Sequence, residues 1–211
     1  DDYIQSRGDV KPSTRSVYRR TRRHLVDYFA ESHRLDAISP GDADCWRSWL
    51  VVKRGLADNT VRRTCGSAKQ FMRAASRRGL IDTNPFEDHV VAVRPNVKRF
   101  YFVTREEADA GLDACPDDEW RLLFALARFG GLRTPSEPLR LRWTDIDWER
   151  ERFTVHASKS EHHAGSGIRV VPIFPELRPH LKAAFQLAAT DHGFVIDRYR
   201  CPAVNLRTHL D

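Results

Sequence analysis

Between residues 13 and 78 the apolar side chains recur with a helical period in three successive runs, each closed by a residue that stops helices. Ser13 or Thr14 can cap a first helix that runs to about Ala30, with Val17, Thr21, Leu25 and Tyr28 along one face. Ser39-Pro40 opens a second by the N-cap and N1-proline rule. It carries Trp46, Trp49 and Leu50, and Gly55 ends it. Asp58 or Asn59 caps a third, which reaches Arg78 with Gly79 as its stop. Val61, Ala68, Phe71, Met72 and Ala75 form its apolar side. Asn84-Pro85 then breaks the pattern. Apolar stripes at this spacing must be buried against one another, which makes the first half a helical bundle.

The period changes further on. The run VRPNVKRFYFV, 93–103, has a proline, three cations and no helical repeat, and it reads as a linker between a domain over 1–92 and another over 104–211. Thr104 and Glu107 make a capping box before a new helix. Residues 120–129 are strongly apolar and helical, and Gly130-Gly131 ends them. A helix near 136–142 is expected next. RFTVHA at 152–157 and IRVVPI at 168–173 alternate as strands do, and the ten residues between them read as the loop of a β-hairpin. Residues 175–189 return to a helical pattern, and 194–196 read as a short strand. The expected fold is mainly α with a small antiparallel β element.

Charge separates the two halves. Residues 1–98 hold 19 Lys and Arg against 12 Asp and Glu, whereas 99–211 hold 16 against 17, so the whole excess of +6 comes from the first half. A basic module beside a near-neutral one points to a polyanion, and first to nucleic acid. Arginine outnumbers lysine 29 to 6, a bias that base composition alone can produce, so the face each arginine occupies carries the argument. No apolar run approaches a membrane span, and no signal-peptide pattern opens the chain. Cys45, Cys65, Cys115 and Cys201 are too far apart for a zinc clip or a Cys-x-x-Cys pair, which fits a reduced, cytoplasmic chain. The first residue is Asp1, so the ends need not be natural ones.

On the first predicted helix Arg15, Arg19, Arg22 and Arg23 fall opposite the apolar face. On the third, Arg62, Lys69, Arg73 and Arg77 lie within about a quarter-turn of one another. One such face alone reads as a solvated surface. Two in one small bundle, holding the whole charge excess, read as phosphate contacts. Arg133 follows a glycine turn, and its guanidinium fork matches phosphate oxygens. Thr134, Pro135 and Glu137 resemble a capped helix start, with Glu137 close enough to orient Arg133. Spacing alone makes this a plain helix start with a surface arginine. Lys159, just inside the hairpin loop, can donate a proton if it reaches a site; alone it is a surface lysine. His162 and His163 share that loop without an acid or thiol spaced to complete a metal site, and His156 reads as a packing or edge residue. No metal or cofactor is expected.

Together these segments resemble the tyrosine recombinases, the phage integrase family. GLADNTVRRTCGSAKQFMRAASRRGLIDTNPF, within 13–85, resembles the family's helical, SAM-like core-binding domain. FGGLRTPSEPLRLRWTDIDW resembles the box with its first catalytic arginine, and RFTVHASKSEHHAGSGIRVVPI the hairpin with its catalytic lysine. The resemblance implies a core-binding domain followed by part of an α+β catalytic domain. It implies double-stranded DNA as partner, a homo-oligomer on DNA, no membrane, and a cytoplasmic, nucleoid-associated location. It implies metal-free cleavage and rejoining through a covalent 3′-phosphotyrosine, with Arg133 clamping the phosphate, Lys159 protonating the leaving 5′-oxygen and Glu137 supporting Arg133. Arg15, Arg19, Arg22, Arg62, Lys69, Arg73 and Arg77 are the expected DNA contacts.

The sequence departs from the family at two points. None of the nine histidines has an arginine three residues on, so the His-x-x-Arg box is not present. NLRTHLD, 205–211, resembles the approach to it, and Tyr199 precedes the place where the nucleophile belongs. Glu137 follows Arg133 by four residues where the family has three, with Pro138 unusual beside it. The expectation is a C-terminally truncated recombinase that binds DNA and cuts nothing. The alternatives are a regulator that kept the fold without the chemistry and, further off, an unrelated helical transcription regulator.

Overall fold

The computed structural model describes residues 1–97, 100–157, 167–188 and 193–200. The chain divides into two compact units, Asp1–Phe100 and Tyr101–Asp211. The first is helical: α1 Asp2–Ser6, α2 Pro12–Phe29, α3 Pro40–Val52 and α4 Asp58–Arg77. The second holds α5 Arg105–Asp113, α6 Asp118–Arg128, β1 Ile146–Asp147, β2 Arg152–His156, β3 Ile168–Pro172 and α7 Arg178–Leu187. The mainly helical fold with a small antiparallel sheet is as expected.

In the first unit Trp46, Leu50, Val61, Cys65, Ala68 and Phe86 are wholly buried, and α3 and α4 supply all but Phe86. The Trp46 ring meets Phe86 edge-on at 5.4 Å, and its indole N–H donates to the His24 carbonyl at 3.1 Å. That bond ties α3 to α2 and satisfies the one polar atom a buried tryptophan carries. Ser39 and Asp42 close the capping box that starts α3. α2 begins differently from expectation: Lys11 is its N-cap, without a side-chain bond, and Pro12 is the first helical residue. Its buried face is Tyr18, Thr21 and His24, and Val17 is exposed. α1 was not expected from the sequence. Tyr3 of α1 packs on Tyr18 and Phe71 at 5.8 and 5.3 Å, while Leu25 and Tyr28 of α2 pack partly buried against the core.

In the second unit Thr104 and Glu107 form the expected capping box of α5, and Asp117 caps α6 through the Trp120 amide. The sheet order is β1-β2-β3, all antiparallel, with Phe153 opposite Val171 and Val155 opposite Arg169. Phe153 and Val155 face a core completed by Leu122, Leu126, Leu177, Leu181 and Ile196. The helix expected at 136–142 is not there. Pro138–Arg140 and Trp143–Asp145 are short 3-10 turns instead. Pro135 and Pro138 both lack an amide proton and restrict the residue before them, so no regular ladder can run through the segment. Residues 194–196 contribute only an isolated bridge, Arg142 to Phe194, with Val195 donating to the Leu141 carbonyl.

Candidate nucleic-acid and phosphate-binding sites

In the second unit, the turn after α6 determines where Arg133 stands. A Cβ on Gly130 would lie 2.8 Å from the Leu126 carbonyl oxygen and 2.9 Å from Leu132 Cδ1, so only glycine fits there. Gly131 has φ of +63°, which glycine adopts without steric cost. Leu132 is buried and anchors the exit of the turn. Arg133 follows with its side chain 57% exposed, while the Glu137 side chain is 1% exposed.

Glu137 is the centre of the arrangement. Its Oε2 accepts from the Arg133 amide at 2.8 Å, and its Oε1 from Arg133 Nη1 at 2.9 Å. Arg169, on β3, completes the pair: Nη1 donates to Oε1 at 2.9 Å and Nη2 to Oε2 at 2.7 Å. Arg169 Nη2 also donates to the Gly131 carbonyl at 3.1 Å, tying the strand to the glycine turn. Burial alone would push the Glu137 carboxyl up. The bonds from Arg169, from the Arg133 amide and from the Arg133 guanidinium outweigh it and hold the group at about 2. Arg169 sits above its ordinary value because Glu137 is its partner. Glu137 is therefore an anion at any ordinary pH and orients the exposed Arg133 fork. Among the described residues Arg133 uses one guanidinium N–H on Glu137, and a guanidinium fork has further donors that could meet an oxyanion.

The expected capping role of Thr134 is replaced by this geometry, since Glu137 caps the Arg133 amide instead. Arg169 was not singled out in the sequence. Its signal was an arginine in an otherwise apolar strand, at a position whose neighbours Val155 and Val171 face the core. Lys159, His162 and His163 lie outside the described residues. His156 is exposed, with Nε2 3.3 Å from Asp145 Oδ1. The Tyr199 hydroxyl donates to Asp117 at 3.4 Å, and its ring packs 5.3 Å from Trp120.

The first unit carries a groove of about 710 Å³ between α2 and α4. Its lining includes Arg62, Arg63, Lys69 and Arg73, the hydroxyl residues Ser13, Thr14 and Ser67, and no carboxylate. Tyr18 closes its floor by donating to Gln70 at 3.1 Å. The expected contacts divide among distinct environments. Arg62 is buried, bonded to Asp58 at 2.7 Å and to the Ala92 carbonyl at 3.3 Å. Lys69 and Arg73 share Glu87. Arg77 is exposed at the end of α4. On α2, Arg15 donates to the Arg7 carbonyl at 3.2 and 3.0 Å, and Arg22 pairs with Asp1 and Glu31. Arg19 between them is exposed. Arg63, which the sequence reading passed over, is an exposed cation on the groove. Among the described residues no cluster of His, Cys, Asp and Glu could hold a metal, and no helix is long and apolar enough to cross a membrane.

Residues 1–93 match the family model of the phage integrase SAM-like domain. No curated protein sequence matches the chain. Among solved structures, the chain is similar to Tn1549 transposon integrase in complex with a circular intermediate DNA, with 22% identity and a TM-score of 0.71 over 94% of this chain and 67% of that one. It is similar to a lambda integrase dimer bound to a COC′ core site, with 18% identity and a TM-score of 0.75 over 98% and 73%. A lambda integrase tetramer bound to a Holliday junction gives the same identity and TM-score over 98% and 60%. At these identities the likeness is one of fold. Residues 1–93 thus carry a phage integrase SAM-like domain, and over nearly its whole length the chain shares the fold of these integrase structures.

Proposed function

We propose that this chain is the DNA-binding and phosphate-orienting part of a tyrosine site-specific recombinase. The basic groove of the first unit meets the backbone of double-stranded DNA, and Arg133 clamps the scissile phosphate. The observation that carries the reading is the buried Glu137 carboxylate held by Arg133 and Arg169. A buried anion that fixes a half-exposed guanidinium suits an arginine that must meet a developing charge. In the complete reaction a tyrosine attacks the phosphate to form a 3′-phosphotyrosine, and Lys159 protonates the departing 5′-oxygen. The 211 residues contain no His-x-x-Arg, which supports a chain that binds duplex DNA without cleaving it. Assembly into a homo-oligomer on DNA follows from the same reading, as do a cytoplasmic, nucleoid-associated location and chemistry without a cofactor.

Fluorescence anisotropy with a labelled duplex over a salt series tests the binding half. Arg63→Glu and Arg73→Glu are each expected to weaken binding and lower the salt slope by about 1. Unaltered affinity and slope in both variants would remove the groove from the interface.

A further inference from the structure

The chain beyond α4 turns back along the flank of that helix and places one carboxylate on two cations of the groove. Asn84 directs the turn. Its Oδ1 accepts from the Phe86 amide at 3.0 Å, and its Nδ2 donates to the Lys69 carbonyl at 3.1 Å and to Glu87 Oε2 at 2.9 Å. Phe86 is wholly buried against Trp46, so the residue before Glu87 cannot swing. Glu87 Oε1 then lies 3.1 Å from Lys69 Nζ and 3.1 Å from Arg73 Nη2. The Glu87 carbonyl also accepts from Lys69. The Glu87 carboxylate is thus held by an anchored backbone and by a side-chain amide. It still stands half in water, with its side chain 52% exposed.

One anion facing two cations leaves a positive charge over, and a half-exposed pair of this kind is held weakly. A phosphodiester oxygen presents the same chemistry to the same donors as the carboxylate oxygen does. We propose that Lys69 and Arg73 form a phosphate seat for duplex DNA, and that Glu87 is its resident counter-ion, exchanged for a backbone phosphate when DNA enters the groove. The proposal rests on the DNA-binding reading above. Glu87 opposes binding in two ways. Its charge remains near the arriving phosphate, and it neutralises cations whose counter-ion release would otherwise drive association.

The test is the affinity of the whole 211-residue chain for a mixed-sequence duplex across a salt series, by fluorescence anisotropy. Glu87→Gln keeps an oxygen for the Asn84 amide and removes the charge; Glu87→Ala removes both. Asp109→Asn on α5 makes the same change in net charge in the other unit. Glu87→Gln and Glu87→Ala are expected to bind about 3- to 10-fold tighter at low salt, with a slope of log affinity against log salt steeper by about 1. Asp109→Asn is expected to stay within about twofold of the parent. If the parent binds and both Glu87 variants bind equally or more weakly, or if Asp109→Asn gains as much as they do, the exchange is refuted and the DNA-binding reading stands. If the parent shows no salt-dependent binding, the DNA-binding reading itself falls, and the seat with it.

Discussion

Arg169→Met removes the cation that meets both oxygens of a buried carboxylate and keeps most of the apolar stem. Glu137 moves from an ordinary 4.5 to about 2 in the folded chain. The difference corresponds to about 3 kcal/mol of stability at pH 7. Because the folded value is the lower one, that stability is present above 4.5 and is lost as the pH falls towards 2. By the same linkage about 1 kcal/mol of it survives at pH 3. With Arg169 gone, Glu137 keeps its burial and its bonds to Arg133 alone, and the gain largely disappears. Urea unfolding is therefore expected to show Arg169→Met less stable by about 2–3 kcal/mol at pH 7. The deficit is expected to shrink by about 2 kcal/mol at pH 3, where the parent has lost most of the contribution as well. All other titrating groups are common to both proteins and cancel in the difference. An equal deficit at pH 7 and pH 3 would mean that lost packing, and not the carboxylate, is responsible.

Other substitutions separate the structural parts. Arg133→Ala should cost under about 1 kcal/mol in the same unfolding assay, because the arginine is more than half exposed and Arg169 still holds Glu137; a loss as large as that of Arg169→Met would make Arg133 a structural residue. Gly130→Ala drives a Cβ against the Leu126 carbonyl and Leu132, and thermal melting should show a loss of about 1–3 kcal/mol. An unchanged melt would mean the turn is looser than its contacts. Trp46→Ala should cost the first unit about 3–5 kcal/mol in urea, since it empties a fully buried site and leaves the His24 carbonyl without its indole donor; a cost below about 1 kcal/mol would place the core elsewhere.

What could be read in the sequence was what local pattern dictates. Ser39-Pro40, Thr104 with Glu107, and the alternation of RFTVHA and IRVVPI each mark an element that is present. What could not be read depends on contacts between distant segments. The contact of Tyr18 on α2 with Tyr3 joins segments that no periodicity in α2 relates. The sequence placed Arg62, Lys69, Arg73 and Arg77 together on the basic side of α4. The segment around 84–94 covers that flank, with Asn59 bonded to Arg94 and Arg62 to Ala92, and turns the open side towards Arg63 and Arg73. Around Glu137, Arg133 and Glu137 were visible because they are near in sequence. Arg169 is 32 residues from Glu137, and only the pairing of β2 with β3 brings it there. The 3-10 turns found where a helix was expected at 136–142 follow from two prolines whose spacing a helical template overlooks.

The central claim is that Arg133, oriented by Glu137 and Arg169, meets the phosphate at which DNA is broken. The most direct measurement is covalent capture of a nicked duplex by the full-length gene product, resolved on a denaturing gel, with duplex binding followed in parallel. Arg133→Ala is expected to bind the duplex with little change and to form no covalent complex, whereas the parent protein forms one. A normal yield of covalent complex from Arg133→Ala would contradict the claim.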